Sequence, residues 1–165
     1  MKIIATLILC LSYIITQAQN HEEIEQKLIG EWSYIKTIDS LGNNVEAVNK
    51  YNVNGKETKI IASGPYLIIN SDKSYTAVFS EIHSDTGNWE LISKDEIEYE
   101  IVIPKESRQG RLIIQTQKIL NKKWRQDDKR NFLDEHSEKI LLLTDDRMEI
   151  EYETYYKLIY NKVEN

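Results

Sequence analysis

Apolar residues recur at every second position along most of this chain. The alternation is sharpest where Ile97, Tyr99, Ile101 and Ile103 are interleaved with Glu96, Glu98 and Glu100. A period of two marks strands with one dry face and one wet face. Met148, Ile150 and Tyr152 alternate with Glu149, Glu151 and Glu153 in the same way. The pattern predicts strands at residues 31–39, 45–53, 58–62, 66–70, 74–83, 88–93, 96–103, 111–120, 138–144, 147–153 and 155–162. Short polar or glycine-bearing breaks separate them, among them Asn54-Gly55, Ser63-Gly64-Pro65, Asn70-Ser71-Asp72-Lys73, Asp85-Thr86-Gly87, Arg108-Gln109-Gly110 and Asp145-Asp146. These read as hairpin turns between antiparallel neighbours. Such a series forms either a two-sheet sandwich or a closed barrel, and closure is the solution that removes exposed sheet edges. Short up-and-down connections favour an all-β, antiparallel, up-and-down barrel.

Two segments break the alternation. Residues 20–29 predict a short helix, with Asn20 as N-cap, Glu23 in capping-box position, and Ile24 and Leu28 one turn apart. Its apolar side suits a plug for one end of a barrel. Residues 121–139 are crowded with charge around Trp124, Phe132 and Leu133. They predict a hairpin extension or a short helix at the barrel rim, either a solvated flap or a lid.

The first residues change the picture of where the chain works. Met1 and Lys2 precede an almost wholly apolar run from Ile3 to Ile15, and Thr16-Gln17-Ala18 ends in the small residue that a signal peptidase reads. Residues 1–18 are expected to be a secretory signal peptide, too short for the roughly 20 residues of a bilayer-spanning helix. Residues 19–165 then form one domain, with no transmembrane segment in the mature chain and a periplasmic or extracellular location. The sole cysteine, Cys10, lies inside the leader and follows Leu9 rather than the small residue a lipid-modified cysteine requires. The mature chain would therefore hold no disulfide, cysteine-ligated zinc or thiol nucleophile.

Charge and motif content narrow the function. The formal net charge is −6, and no basic stripe with interleaved aromatics is present, which argues against nucleic-acid binding. There is no Gly-x-Ser-x-Gly, P-loop, His-Glu-x-x-His or dinucleotide fingerprint, so no enzyme activity and no cofactor is expected. His83 with Asp85, and Glu135 with His136, are the polar pairs from which a metal site could start. Neither spacing is shared with a second cluster, and both read as surface loops with no metal.

Family resemblance rests on several short elements in order. Leu28-Ile29-Gly30-Glu31-Trp32-Ser33 opens the barrel region, followed by Tyr66-Leu67-Ile68-Ile69-Asn70-Ser71-Asp72-Lys73-Ser74-Tyr75, Thr86-Gly87-Asn88-Trp89-Glu90-Leu91 and Ile140-Leu141-Leu142-Leu143-Thr144. Together these resemble the bacterial lipocalin-like domains, small secreted barrels of the calycin type. The resemblance implies that Trp32 is a packing residue closing the barrel's end, with Gly30 ending the plug helix. In vertebrate-type lipocalins an arginine beyond the last strand packs on that tryptophan; here Asn161-Lys162-Val163-Glu164-Asn165 follow Tyr160. Thr144-Asp145-Asp146 matches only the first two residues of their later Thr-Asp-Tyr element.

Small barrels either fill their interior with side chains or hold one small ligand. The inward candidates are Phe79, Trp89, Tyr99, Ile101, Met148, Ile150, Tyr152, Tyr156 and Leu158. Of these, Phe79, Trp89, Tyr99, Ile101, Tyr152 and Tyr156 are the expected ligand contacts, the tyrosines supplying hydroxyls that orient an apolar or aromatic molecule. The sequence thus points to non-enzymatic binding of a small hydrophobic or aromatic ligand. The alternative is docking of an envelope protein partner through residues 121–139.

Overall fold

The computed structural model describes residues 21–51, 55–120, 123–153 and 155–164. The leader, Cys10 and the proposed cap Asn20 lie outside them. Residues 21–28 form helix α1. Ten strands follow: β1 (Gly30–Asp39), β2 (Ala47–Tyr51), β3 (Glu57–Ile61), β4 (Tyr66–Ile69), β5 (Ser74–Ser80), β6 (His83–Ser93), β7 (Glu96–Ile103), β8 (Phe132–Leu143), β9 (Arg147–Tyr152) and β10 (Tyr156–Lys162). A second helix, α2 (Arg108–Leu120), separates β7 from β8. Eight of these strands close into an antiparallel barrel in the order β1-β10-β9-β8-β7-β6-β5-β4, while β2 and β3 form a separate two-stranded sheet. Pairing of Gly30 with Ile69 and of Trp32 with Leu67 joins β1 to β4 and closes the ring of strands.

The period-two pattern and the barrel agree along most of the chain, and three local expectations do not. Residues 111–120 are not a strand but most of α2. Ile113 and Ile114 suit a strand locally, yet Ser107 caps the segment as a helix: its Oγ accepts a hydrogen bond from the Gly110 N–H at 3.0 Å, and its carbonyl accepts one from the Arg111 N–H. Arg108-Gln109-Gly110, read as a turn, is the first turn of that helix. Ile113 then packs with Ile103 and Phe132 in a satellite core beside the barrel.

The expected turn at Asp85-Thr86-Gly87 is also absent, because β6 runs through it from His83 to Ser93. Gly87 serves the interior instead. A Cβ there would stand 1.9 Å from the Glu100 carbonyl oxygen and 3.1 Å from the Tyr75 ring. Only a residue without a side chain lets β6 bend that closely across β7.

The third difference concerns residues 121–139. Their second half is strand, since β8 begins at Phe132 and not at 138. Gln126 bridges Phe132 ahead of it, and Asp127 closes the intervening turn by accepting the Asn131 backbone N–H at 2.7 Å, so the hairpin-extension alternative describes this part. The β8 ladder is uneven: β7 pairs with it from Phe132 to Lys139, whereas β9 pairs with it only from Ile140 onward. The stretch before Ile140 therefore has a neighbour on one side and a notch on the other.

One end of the barrel is shut by α1. Leu28 and Trp32 are fully buried, and the Trp32 indole N–H donates to the Leu28 carbonyl at 2.8 Å. Lys162 Nζ lies 5.1 Å from the Trp32 ring centroid and donates to the Lys27 carbonyl at the helix end. A lysine from β10 thus sets a cation against the closing tryptophan. Gly30, at φ +138°, makes room for it: a Cβ at that position would meet Lys162 Cε at 2.6 Å.

Candidate ligand-binding site

Directly paired residues in an antiparallel ladder share a face, so the register fixes what the barrel encloses. On β7, Ile97 and Tyr99 are buried in the main core. Across β6 they pair with Leu91 and Trp89, and across β8 with Glu138 and His136. Ile101 pairs with Gly87 on one side and Asp134 on the other. The inward row of β8 is therefore Asp134, His136 and Glu138, followed by the buried Ile140. On β6 the same face carries Asp85, which pairs with Ala77 of β5.

Away from α1 the interior contains a cavity of about 210 Å³. Leu67, Ala77, Phe79, Ile101 and Leu158 give it apolar walls; Tyr75, Tyr99, Tyr152, Tyr160, Asp85, His136 and Glu138 give it polar ones, together with Ser63 and Pro65. Gly64 lets the Ser63-Pro65 segment approach, because a Cβ there would meet the Tyr160 hydroxyl at 2.4 Å and the Tyr34 ring at 2.8 Å. The Tyr75 and Tyr99 rings lie 4.7 Å apart, and Tyr99 stacks on the His136 imidazole at 5.2 Å.

Two polar atoms distinguish this space from a packed core. The Tyr75 and Tyr99 hydroxyls are buried and have no hydrogen-bond partner among the described residues. Each such group costs about 1–3 kcal/mol of lost solvation. Burial, reinforced by Glu138, pushes the Tyr75, Tyr99 and Tyr160 phenols well above their ordinary range, so all three hold their protons. Burial also pushes the Glu138 carboxyl up from 4.5 to about 7. It pulls His136 down, against the opposing pull of Asp134 and Asp85.

Four of the six residues expected to contact a ligand come together here: Phe79, Tyr99, Ile101 and Tyr152. Phe79 is half exposed at the mouth and stacks on His83 at 4.9 Å. Trp89 does not line the cavity. It faces inward one step toward the closed end, where its indole N–H donates to the Asn70 carbonyl at 2.9 Å and Lys73 Nζ lies 4.2 Å from its ring centroid. Tyr156, half-buried opposite Tyr152 and Asp39, is also outside the lining. Met148, Ile150 and Leu158 are buried in the core as their alternation implied.

Alternation does not single out Tyr75, Tyr160 and, above all, Glu138 as site residues. Asp85 and His136, expected in surface loops, both stand on strands facing the cavity. A charged inward row carries no hydrophobic signal. What could have found it is the register of residues 132–139 against the clearly alternating β7. Glu135 points the other way and meets Arg125, which also pairs with Glu100 on the outer surface. His21 holds α1 in place, its Nε2 lying 2.9 Å from the Leu91 carbonyl oxygen. Among the described residues no three histidine, cysteine, aspartate or glutamate side chains are grouped to hold a metal ion, and no helix is long and apolar enough to cross a membrane.

No family model and no curated protein matches the chain. Among solved structures, a lipocalin-like protein from Bacteroides uniformis is similar over 83% of this chain and 99% of its own, at 15% identity and a TM-score of 0.46. An uncharacterized protein from Bacteroides eggerthii is similar over 82% of this chain and 98% of its own, at 17% identity and a TM-score of 0.40. The barrel itself stands on the chain's own strand pairing: eight antiparallel strands closed on themselves, plugged at one end and hollow toward the other.

Proposed function

We propose that this protein is an exported, non-enzymatic binding barrel that holds one small, largely apolar or aromatic molecule. The observation that carries the reading is the cavity of about 210 Å³ between α1 and the mouth, walled by Leu67, Ala77, Phe79, Ile101 and Leu158. Concave, mostly apolar sites with a few convergent polar groups are the usual form of small-molecule sites. This one is smaller than the roughly 300–1,000 Å³ typical of drug-sized ligands, which favours a molecule of about one ring. Export rests on the apolar run from Ile3 to Ile15 and the Thr16-Gln17-Ala18 end.

The test is a titration with ethylbenzene, phenol and phenethylammonium, followed by NMR of the Leu67, Ala77, Ile101 and Leu158 methyl groups. At least one probe is expected to shift these methyls saturably, and Ala77→Leu, which fills the cavity, is expected to abolish the shift while the thermal transition persists. Silence of all four methyls with every probe would remove the reading. Native mass spectrometry of the exported protein checks the leader at the same time, since cleavage leaves a chain starting at Gln19.

A further inference from the structure

The polar groups of the cavity are weighted toward acids and hydroxyls. Asp85 and Glu138 are acids, Tyr75, Tyr99, Tyr152, Tyr160 and Ser63 offer hydroxyls, and the His136 imidazole is the one basic group; among the described residues the lining contains no lysine or arginine. A half-buried carboxylate ordinarily has a cation or several donors beside it. The outer surface shows what that looks like: Glu149, itself buried, is held by Arg147 and Lys157, both at 2.9 Å. Among the described residues Glu138 has no such ion pair, and Asp85 has only the exposed His83 at 3.7 Å. The Tyr75 and Tyr99 hydroxyls, each on a residue about 97% or more buried, stand unpartnered in the same space.

Glu138 is also placed to be reached from outside. It lines the notch between β8 and β9 as well as the cavity, and the notch opens to solvent as a crevice of about 670 Å³. Asp95, Glu96, Glu151 and Glu153 border that crevice; among the described residues Lys139 is the one cation in its lining, and Lys50 pairs with Glu153 at 3.1 Å, so the acids outnumber the cations. A cleft lined by one sign of charge concentrates and steers counter-ions toward its interior.

On the reading of the barrel as a binding protein, we propose that its ligand class is the small organic cation. The molecule would carry an ammonium group on an aromatic or otherwise apolar body, enter through the acidic notch beside β8, and set its charge against Glu138. An ammonium brings three donors and no acceptor, which matches a carboxylate and tyrosine oxygens that lack donors. The apolar body lies against Leu67, Ala77 and Ile101. The tyrosine faces add cation–π attraction. An anion of the same size is refused by Asp85 and Glu138, and a neutral hydrocarbon leaves the hydroxyls and the carboxyl as they are.

Three probes on one skeleton separate the possibilities: phenethylammonium, ethylbenzene and 3-phenylpropionate, titrated by NMR at pH 8 into the wild-type chain, Glu138→Gln and Asp85→Asn. Phenethylammonium is expected to bind at least tenfold more tightly than 3-phenylpropionate. Glu138→Gln is expected to weaken phenethylammonium about tenfold and to leave ethylbenzene unchanged; Asp85→Asn, nearer the mouth, should weaken the cation by a smaller factor. If ethylbenzene or the carboxylate binds as tightly as the cation, the charge inference falls and the binding barrel stands. If neither these probes nor phenol binds the wild type, both fall; if phenol alone binds, only the charge inference falls. The wild-type comparison alone decides the matter should Glu138→Gln fail to fold.

Discussion

The two ends of this barrel are built to opposite rules. At the closed end every prominent polar atom has a partner: the Trp32 indole donates to Leu28, the Trp89 indole to Asn70, and Lys162 to Lys27, with Lys162 and Lys73 lying over the two tryptophan rings. In the hollow half the Tyr75 and Tyr99 hydroxyls are buried without partners among the described residues, and Glu138 is held where its carboxyl resists ionisation. Satisfied polar groups secure a fold; unsatisfied ones cost stability and persist where something else uses them. The contrast separates the residues that hold the barrel shut from those that leave it ready for an occupant.

The largest expected effect comes from breaking the closed end. Trp32→Ala removes a fully buried indole and leaves the Leu28 carbonyl without its donor, and we expect a loss of about 3–5 kcal/mol in urea unfolding. A loss under about 1 kcal/mol would show that α1 does not depend on this tryptophan. In the hollow half the sign reverses. Tyr99→Phe deletes an unpartnered hydroxyl, so the empty protein is expected to hold its stability or gain on the order of 1 kcal/mol in the same assay. A clear destabilisation would mean that the hydroxyl is already satisfied in the empty protein.

A pH dependence tests the same half of the barrel from another side. The folded state raises the Glu138 carboxyl from 4.5 to about 7, so it binds that proton more tightly than the unfolded chain does. Stability from this group is full below about pH 4.5 and is lost as pH rises through 7. His136, lowered by burial, works in the opposite direction over part of the same range. Other groups facing this space, Asp85, Asp134 and the tyrosines, are common to both proteins if wild type and Glu138→Gln are compared. The difference in thermal midpoint between them should therefore move in favour of Glu138→Gln from pH 5 to pH 8. A difference that stays flat across that span would place Glu138 in water.

Much of the architecture is legible along the chain. The alternation at residues 96–103 and 147–153, the plug helix with Leu28, and the packing of Trp32 follow from period and residue type, because burial on one face leaves that signature in any strand. α2 resembles a strand because Ile113 and Ile114 suit one, while the deciding group is the Ser107 cap and the decisive contacts come from Ile103 and Phe132 on the flanking strands. Gly87 reads as a turn residue when its neighbours are unknown. In the barrel it is a gap that β7 and the Tyr75 ring require.

The candidate site divides along the same line. Phe79, Tyr99, Ile101 and Tyr152 could be named from alternation alone, since large apolar residues on a dry face must go inside something. Trp89 carries the same signal yet lies at the sealed end, because its depth along the barrel axis is set by the strand stagger and not by its own strand's pattern.

By itself, then, the sequence determined most of the strands, their wet and dry faces and the plugged end, all of which are local consequences of where apolar side chains recur. Only the tertiary structure decided that Asp134, His136 and Glu138 face inward, that two tyrosine hydroxyls meet there without partners, and that β8 outruns β9 to leave an acidic notch. Those facts depend on register between strands far apart in the chain. A polar residue on a strand looks the same in sequence whether its neighbours turn it to water or enclose it, and only its cross-strand partners settle which.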